Sequence, residues 1–162
     1  SIRGNLRSNA AGANLNREWL EPSIEKSPEV FYVRQKMHET GVDLALDIHG
    51  DESLPYNFVA TCEGNPSYNE NLKKLEDTFI EHLMTVNPDF QNEFHYEKGK
   101  FKMEQLKLAT NYIGETFKCL ALTLEMPFKD NANDKDEKYG WSPDRSIRLG
   151  RSILNAISFT LK

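Results

Sequence analysis

The spacing of apolar residues changes several times along the chain, and each change marks an element. Residues 1–19 have neither a helical nor a strand period and are rich in Asn, Gly, Arg and Ala, which predicts an ordered loop. Ser27-Pro28-Glu29 puts a capping residue, a proline at the first helical position and an acid in the first turn, so a helix is expected from there to Thr40, with Val30, Val33 and Met37 on one stripe and Gly41 ending it. Val42 to His49 then alternates. Val42, Leu44, Leu46 and Ile48 face one way and Asp43, Ala45, Asp47 and His49 the other, the period of a strand. Asn57–Cys62 reads as a second strand, and Gly64-Asn65-Pro66-Ser67 as a turn. Leu72, Leu75, Phe79 and Leu83 give an amphipathic helix closed by Asn87-Pro88.

Residues 88–102 mix aromatics, charges and Gly99 without a period, and predict a surface loop of the kind that borders a site. Leu106, Ala109, Ile113 and Phe117 recur at helical spacing and lead directly into an apolar strand at 119–125. Lys129–Gly140 is charge-dense and reads as a solvated loop. Ser142-Pro143-Asp144 repeats the Ser-Pro-acid helix start, and Ile147, Ile153, Leu154, Ile157 and Leu161 carry the last helix. The order loop, α, β, β, α, α, β, α predicts an α/β fold, a mixed sheet sandwiched by helices, in one domain without internal repeats.

Composition narrows the class. A chain of 162 residues with 38% hydrophobic content suits a soluble globular domain with a core. The formal net charge of -5, with both signs mixed along the length, leaves no continuous basic surface, so nucleic acid is excluded as an expected partner. Cys62 and Cys119 fall in apolar runs and read as buried thiols, which fits a reducing, cytoplasmic setting. No apolar run reaches the length of a membrane span, and there is no signal pattern at the start. The chain begins at Ser1 without Met, so a further segment upstream is expected.

The candidate chemistry sits at strand ends. His49 closes one strand and Glu125 another, and in α/β sheets ligands collect outside the carboxyl ends of the strands. Upstream lie Asn16 and Arg17. A guanidinium offers two parallel donors to a carboxylate, and a neighbouring amide adds a third without adding charge. Neutral imidazole at a strand end suits zinc, yet a catalytic zinc site needs three protein ligands and only His49 stands out as a good one. His38, His82 and His95 fall in helices or the surface loop and are assigned structural roles.

Gly4-Asn5-Leu6-Arg7, Gly12 to Trp19, Leu46 to Glu52, Thr123 to Phe128 and Gly140 to Pro143, in that order and spacing, resemble the zinc metallocarboxypeptidases of carboxypeptidase A type, and most closely the cytosolic carboxypeptidase branch and its bacterial relatives. The resemblance covers most of the chain. It implies that Asn16 and Arg17 grip the substrate's terminal carboxylate, that Arg7 (or Arg3, the loop length leaving both open) polarises the scissile carbonyl, that His49 is a zinc ligand and that Glu125 is the general base. It further implies that the chain is the C-terminal part of a catalytic domain, spanning residues 1–162. The remaining Zn2+ ligands are then expected upstream, because no His-x-x-Glu precedes Asn16. His49-Gly50-Asp51-Glu52 has that spacing but lies downstream of the Asn-Arg motif, where the family does not place the pair. The family's Asp before Leu-Asn-Arg is Asn14 here; an amide accepts the same hydrogen bond from a zinc-bound histidine with less charge. The substrate-capping tyrosine is unplaced: Tyr112 is the right type, but it lies on a helical pattern.

The resemblance therefore implies a zinc-dependent carboxypeptidase acting on peptide C-termini, inactive as this chain alone, with the five site residues converging on one pocket at the carboxyl edge of the sheet. Asp47 shares the strand face of His49, but the strand rise of ~7 Å between them argues against shared coordination. A half-domain exposes sheet edge and core, so pairing with the missing portion or with a second copy is expected. The alternatives are a module that binds peptide C-termini without zinc or catalysis, and a structural domain whose likeness is only ancestral.

Overall fold

A computed structural model describes residues 6–97 and 101–162. Arg3, Gly4, Asn5 and Gly99 lie outside the described residues. The chain divides into two compact units: the first takes the described residues of Ser1–Ala45, Cys62–Tyr68 and Gly99–Ala121, the second those of Leu46–Thr61, Asn69–Lys98 and Leu122–Lys162.

In the first unit α1 runs Pro28–Thr40, as the Ser-Pro-acid start predicts. Ser27 stands at the cap position, but its hydroxyl accepts the N–H of Ser23 at 3.2 Å and makes no side-chain bond to the helix. Gly41 ends the helix at φ 75°, a conformation that a residue with a Cβ adopts only with strain. Val30 is buried and Met37 packs on the core, whereas Val33, expected on the same stripe, is exposed. A 3-10 turn, Met103–Lys107, precedes α2, Ala109–Phe117. The core joins Cys62, Tyr112, Ile113, Cys119 and Ala121, with Trp19, Met37, Val42, Ala45, Tyr68 and Phe117 packed on it. Gly114 lets α2 approach Cys62 closely: a Cβ there would sit 2.7 Å from the Cys62 sulfur. Both cysteines are free and buried.

Three strands, β1 Leu44–Asp51, β2 Phe58–Thr61 and β3 Leu120–Pro127, form a mixed sheet in the order β1-β3-β2. β2 and β3 pair antiparallel, Phe58 opposite Glu125 and Thr61 opposite Leu122. Central β3 is the most apolar run and the most buried, as its composition requires. β1 is an edge of the described sheet and keeps Ile48 52% exposed.

The second unit also carries α3, Glu70–Val86, and α4, Pro143–Thr160, packed on each other. Asn69 caps α3, its side chain accepting the N–H groups of Asn71 and Leu72, and Leu72, Glu76, Phe79, Ile80 and Leu83 face inward. Ser142 caps α4 by accepting the N–H of Arg145 at 3.4 Å. The buried stripe of α4 is Arg145, Leu149, Ile153, Ala156 and Thr160, while Ile147, Leu154 and Leu161 are exposed. Buried Arg145 forks onto buried Asp89 through Nε and Nη2, donates to the carbonyls of Asp134 (2.7 Å) and Gly140 (3.4 Å), reaches Asp130, and lies over the Trp141 ring. This arginine ties the charged 129–141 loop down onto α4, a feature the sequence reading treats only as solvated loop.

Candidate active site

Alternation along β1 sends Asp47, His49 and Asp51 to one face of the sheet. Asp47 and His49 are in direct contact, because same-face side chains two residues apart lean together: the imidazole Nε2–H donates to Asp47 Oδ2 at 2.9 Å, a hydrogen bond rather than shared metal coordination. The other ring nitrogen, Nδ1, lies 3.4 Å from Glu125 Oε1. Hydrogen bonding to Asp47 and then to Glu125, against the opposing effect of burial, pushes the His49 pKa up to about 9. The imidazolium must shed its Nδ1 proton before it can act as a metal ligand, and Asp47 then fixes the tautomer that leaves Nδ1 as the lone pair.

This pair makes stability pH-dependent. The folded state binds the His49 proton more tightly than the unfolded chain, whose imidazole titrates near 6.5. The contribution is therefore complete below about pH 6.5 and is lost as pH rises to about 9. In the metal-stripped complete protein, unfolding free energy should fall across that window, and His49→Gln should flatten the fall; an unchanged slope in the variant would assign the dependence to other groups.

Glu125 is 6% exposed, and its Oε2 is buried with no hydrogen-bond partner among the described residues. A buried carboxylate oxygen left bare is costly, so this atom is where a donor from water or substrate belongs. Asp51 is buried and turns its carboxylate onto the N–H groups of Ser53 (2.9 Å) and Leu54 (3.1 Å), shaping the turn after β1, while Glu52 is exposed. Tyr96, which sequence reasoning missed, brings its ring edge-on to Phe58 with centroids 5.0 Å apart. Burial first, then the charges of Glu125 and Asp51 and a hydrogen bond to Asp51, hold its phenol protonated far above its usual range. No local signal marks it, because the 88–102 loop has no period from which a register could be read.

Tyr112 is a core residue of the first unit. Its ring packs against Trp19 and under the Arg34 guanidinium, and its hydroxyl pairs with His38 Nε2 at 3.1 Å. It is not poised to cap a substrate. His82 stacks on Phe159 and pairs with Asn155, and His95 Nδ1 pairs with the Tyr96 carbonyl, so the three structural histidines hold those roles.

The carboxylate-gripping candidates lie in the first unit. Asn16 and Arg17 share a 3-10 turn, Leu15–Arg17. Asn16 Oδ1 accepts the N–H of Ala109 at 3.1 Å, the first residue of α2. Since a backbone N–H can only donate, the amide oxygen is the bonded atom and Nδ2 is presented elsewhere. Arg17 donates through Nη1 to the Asn16 carbonyl at 2.7 Å and borders a cleft of about 450 Å³ shared with Glu18, Leu20, Glu21, Lys26 and Lys107. Lys26 pairs with Glu18 at 2.9 Å. Asn14 Oδ1 is buried without a partner among the described residues. Arg7 is exposed in a turn that the Ser8–Asn14 bridge closes. His49 and Glu125 are thus brought together in the second unit, and Asn16, Arg17 and Arg7 belong to the first.

A metal centre does not follow from this chain alone. Among the described residues no group of three His, Cys, Asp or Glu side chains could hold a metal ion, and His49 is one donor where a catalytic site needs three. No described helix is long and apolar enough to cross a membrane.

No family model matches the chain. Among solved structures, the metallo-carboxypeptidase from Burkholderia cenocepacia matches with a TM-score of 0.96 and 55% identity, over 99% of this chain and 42% of its own. The metallo-carboxypeptidase from Pseudomonas aeruginosa, solved in complex with (2-guanidinoethylmercapto)succinic acid, matches with a TM-score of 0.92 and 51% identity, over 96% of this chain and 41% of its own. An uncharacterized protein of Zymomonas mobilis is 49% identical over 154 residues, 95% of this chain and 40% of that protein. Cytosolic carboxypeptidase 3 of Mus musculus is 27% identical over 116 residues, 69% of this chain and 11% of that protein. Over the part it shares with them, the chain therefore has the fold of the metallo-carboxypeptidases. It spans about two fifths of the length of these bacterial relatives.

Proposed function

We propose that the complete protein is a zinc-dependent, cytoplasmic carboxypeptidase that removes the C-terminal residue of peptides, and that residues 1–162 form the C-terminal portion of its catalytic domain. The observation that carries this reading is the His49–Glu125 pair with a buried, unpartnered Oε2, in a chain whose match to metallo-carboxypeptidases runs almost end to end. Zinc, when bound, supplies a Lewis acid and a water of pKa near ~7. Glu125 Oε2 accepts the proton of the attacking water and returns it to the leaving amine. Arg7 neutralises charge developing on the carbonyl oxygen, and Asn16 Nδ2 with Arg17 holds the terminal carboxylate. The carboxylate-bearing molecule bound by the Pseudomonas aeruginosa relative is in keeping with that grip. His49 offers Nδ1 as one ligand, with Asp47 holding its ring. The other ligands come from outside this chain, and the Asn14 Oδ1 accepts a hydrogen bond from one of them. By itself the chain is inactive, and it is completed by pairing with the rest of the domain or with a second copy.

The test is Arg17→Ala in the complete protein. Affinity for peptides with a free C-terminus should fall about tenfold or more, the worth of a charge-assisted hydrogen bond, while C-terminally amidated peptides should be unaffected. Equal losses for both would remove carboxylate recognition from Arg17. That no group of three donors stands together among the described residues favours one competing reading, a peptide C-terminus binding module without catalysis; binding by the complete protein with no hydrolysis would establish it.

A further inference from the structure

The last helix, α4, carries a second apolar stripe besides the one that packs on the core. α3 covers one flank of α4: His82 pairs with Asn155 at 2.6 Å and stacks on Phe159, and Asn87 Nδ2 donates to Ser152 at 3.0 Å. Along the opposite flank run Ile147, Gly150, Leu154, Ile157 and Leu161. A turn of about 100° per residue gathers these five into one strip, facing away from Ser152, Asn155 and Phe159.

Ile147 is 54% exposed, Leu154 68% and Leu161 51%. Scattered exposed apolar residues are ordinary, but alternating steps of three and four residues along a helix make the seam by which one helix packs on another. Gly150 adds an independent observation. A glycine weakens a helix interior, and nothing inside the molecule asks for one here, since a Cβ would meet no atom within 4 Å. It leaves an open notch in the strip.

We propose that this strip is a self-association surface, on which α4 of a second copy of the chain packs antiparallel about a two-fold axis between Leu154 and Ile157. In that register Leu154 of each copy meets Ile157 of the other, and each Leu161 enters the notch at the other copy's Gly150, so one surface supplies both the knob and the hole. Charge selects the antiparallel sense. It brings Arg151 beside Ser158 and the Asp144 end beside Lys162, and it opposes the two helix dipoles. A parallel pair would set Arg151 against Arg151 and Asp144 against Asp144, and would leave Gly150 facing Gly150 with the notch unfilled. The inference stands apart from the carboxypeptidase reading, which gives none of these residues a task. A contact made by one helix from each copy lies at the small end of specific interfaces, so the dimer should dissociate on dilution.

Sedimentation velocity of the complete protein over a concentration series tests this. The wild type should pass from monomer to dimer as concentration rises. Leu154→Glu places a charge in the middle of the apolar contact and should weaken association about a hundredfold or more, with hydrolysis within twofold of wild type. Leu161→Glu should do the same at the notch, and it reads the contact if circular dichroism shows that Leu154→Glu does not fold. Under oxidising conditions, Gly150→Cys protein mixed with Leu161→Cys protein should form a cross-linked dimer of one of each. A protein that stays monomeric at every concentration would leave the strip to the rest of its own chain, and a dimer equally tight in both glutamate variants would place the interface elsewhere; either overturns the proposal. Gly150→Cys cross-linking to itself would mean parallel pairing and overturn the register.

Discussion

Glu125→Gln in the complete protein should lower peptide hydrolysis by about a hundredfold or more while peptide affinity stays within a few-fold. The amide has the shape of the carboxylate but cannot take a proton from the attacking water at the position of Oε2. His49 loses one acidic neighbour, yet the 2.9 Å bond from its Nε2 to Asp47 still fixes the ring. Binding persists because the substitution leaves unchanged the groups proposed to grip the terminal carboxylate, Asn16 and Arg17. Steady-state kinetics with parallel equilibrium binding reads both quantities. Activity retained within a few-fold would assign the base to another residue, and a matched loss of affinity would make Glu125 a binding group.

The largest expected loss of stability lies away from the site, at Asp89→Asn. Arg145 and Asp89 are both almost fully buried, and the guanidinium spans the Asp89 carboxylate with two nitrogens. Taking two charges out of water is repaid only by their pairing, so removing one leaves the other stranded and costs about 3 to 5 kcal/mol. Asp130 and Asp134 reach the same guanidinium from more exposed positions and recover only part of this. Denaturant unfolding of the complete protein should show the drop, and a double variant replacing both residues by leucine should lose less than the single one. A single-variant loss below about 1 kcal/mol would show that the pair is not the clamp of the 129–141 loop.

Elements with local punctuation could be read directly from sequence. The Ser-Pro-acid starts at 27 and 142 and the Asn87-Pro88 stop fall within a residue or two of the observed bounds. Strand limits slipped by about two residues because the alternation at 42–49 begins before pairing does; the strand itself is Leu44–Asp51. The apolar stripe from Leu106 suggested a longer helix, but α2 begins at Ala109, whose N–H is taken by Asn16, a partner 93 residues away that no local pattern reveals. On α4 the inward face holds an arginine, an alanine and a threonine beside Leu149 and Ile153, so hydrophobicity alone does not define that face. The His49–Glu125 pair was legible from strand ends. The strand period also puts Asp47 on the face of His49, but the hydrogen bond between their tips is not visible from backbone rise. Tyr96 sits in an aperiodic loop and is identified only through its ring contact with Phe58.

The hydrogen bond from the first N–H of α2 to Asn16 Oδ1 has an entropic consequence. An asparagine amide in a surface turn ordinarily samples both flips about its last torsion, and a ligand that needs one of them must freeze that rotor on arrival. Here the helix start has already frozen it. The amide then presents Nδ2, a donor, to the other side, so a carboxylate bound there, as proposed above, would cost less rotor entropy.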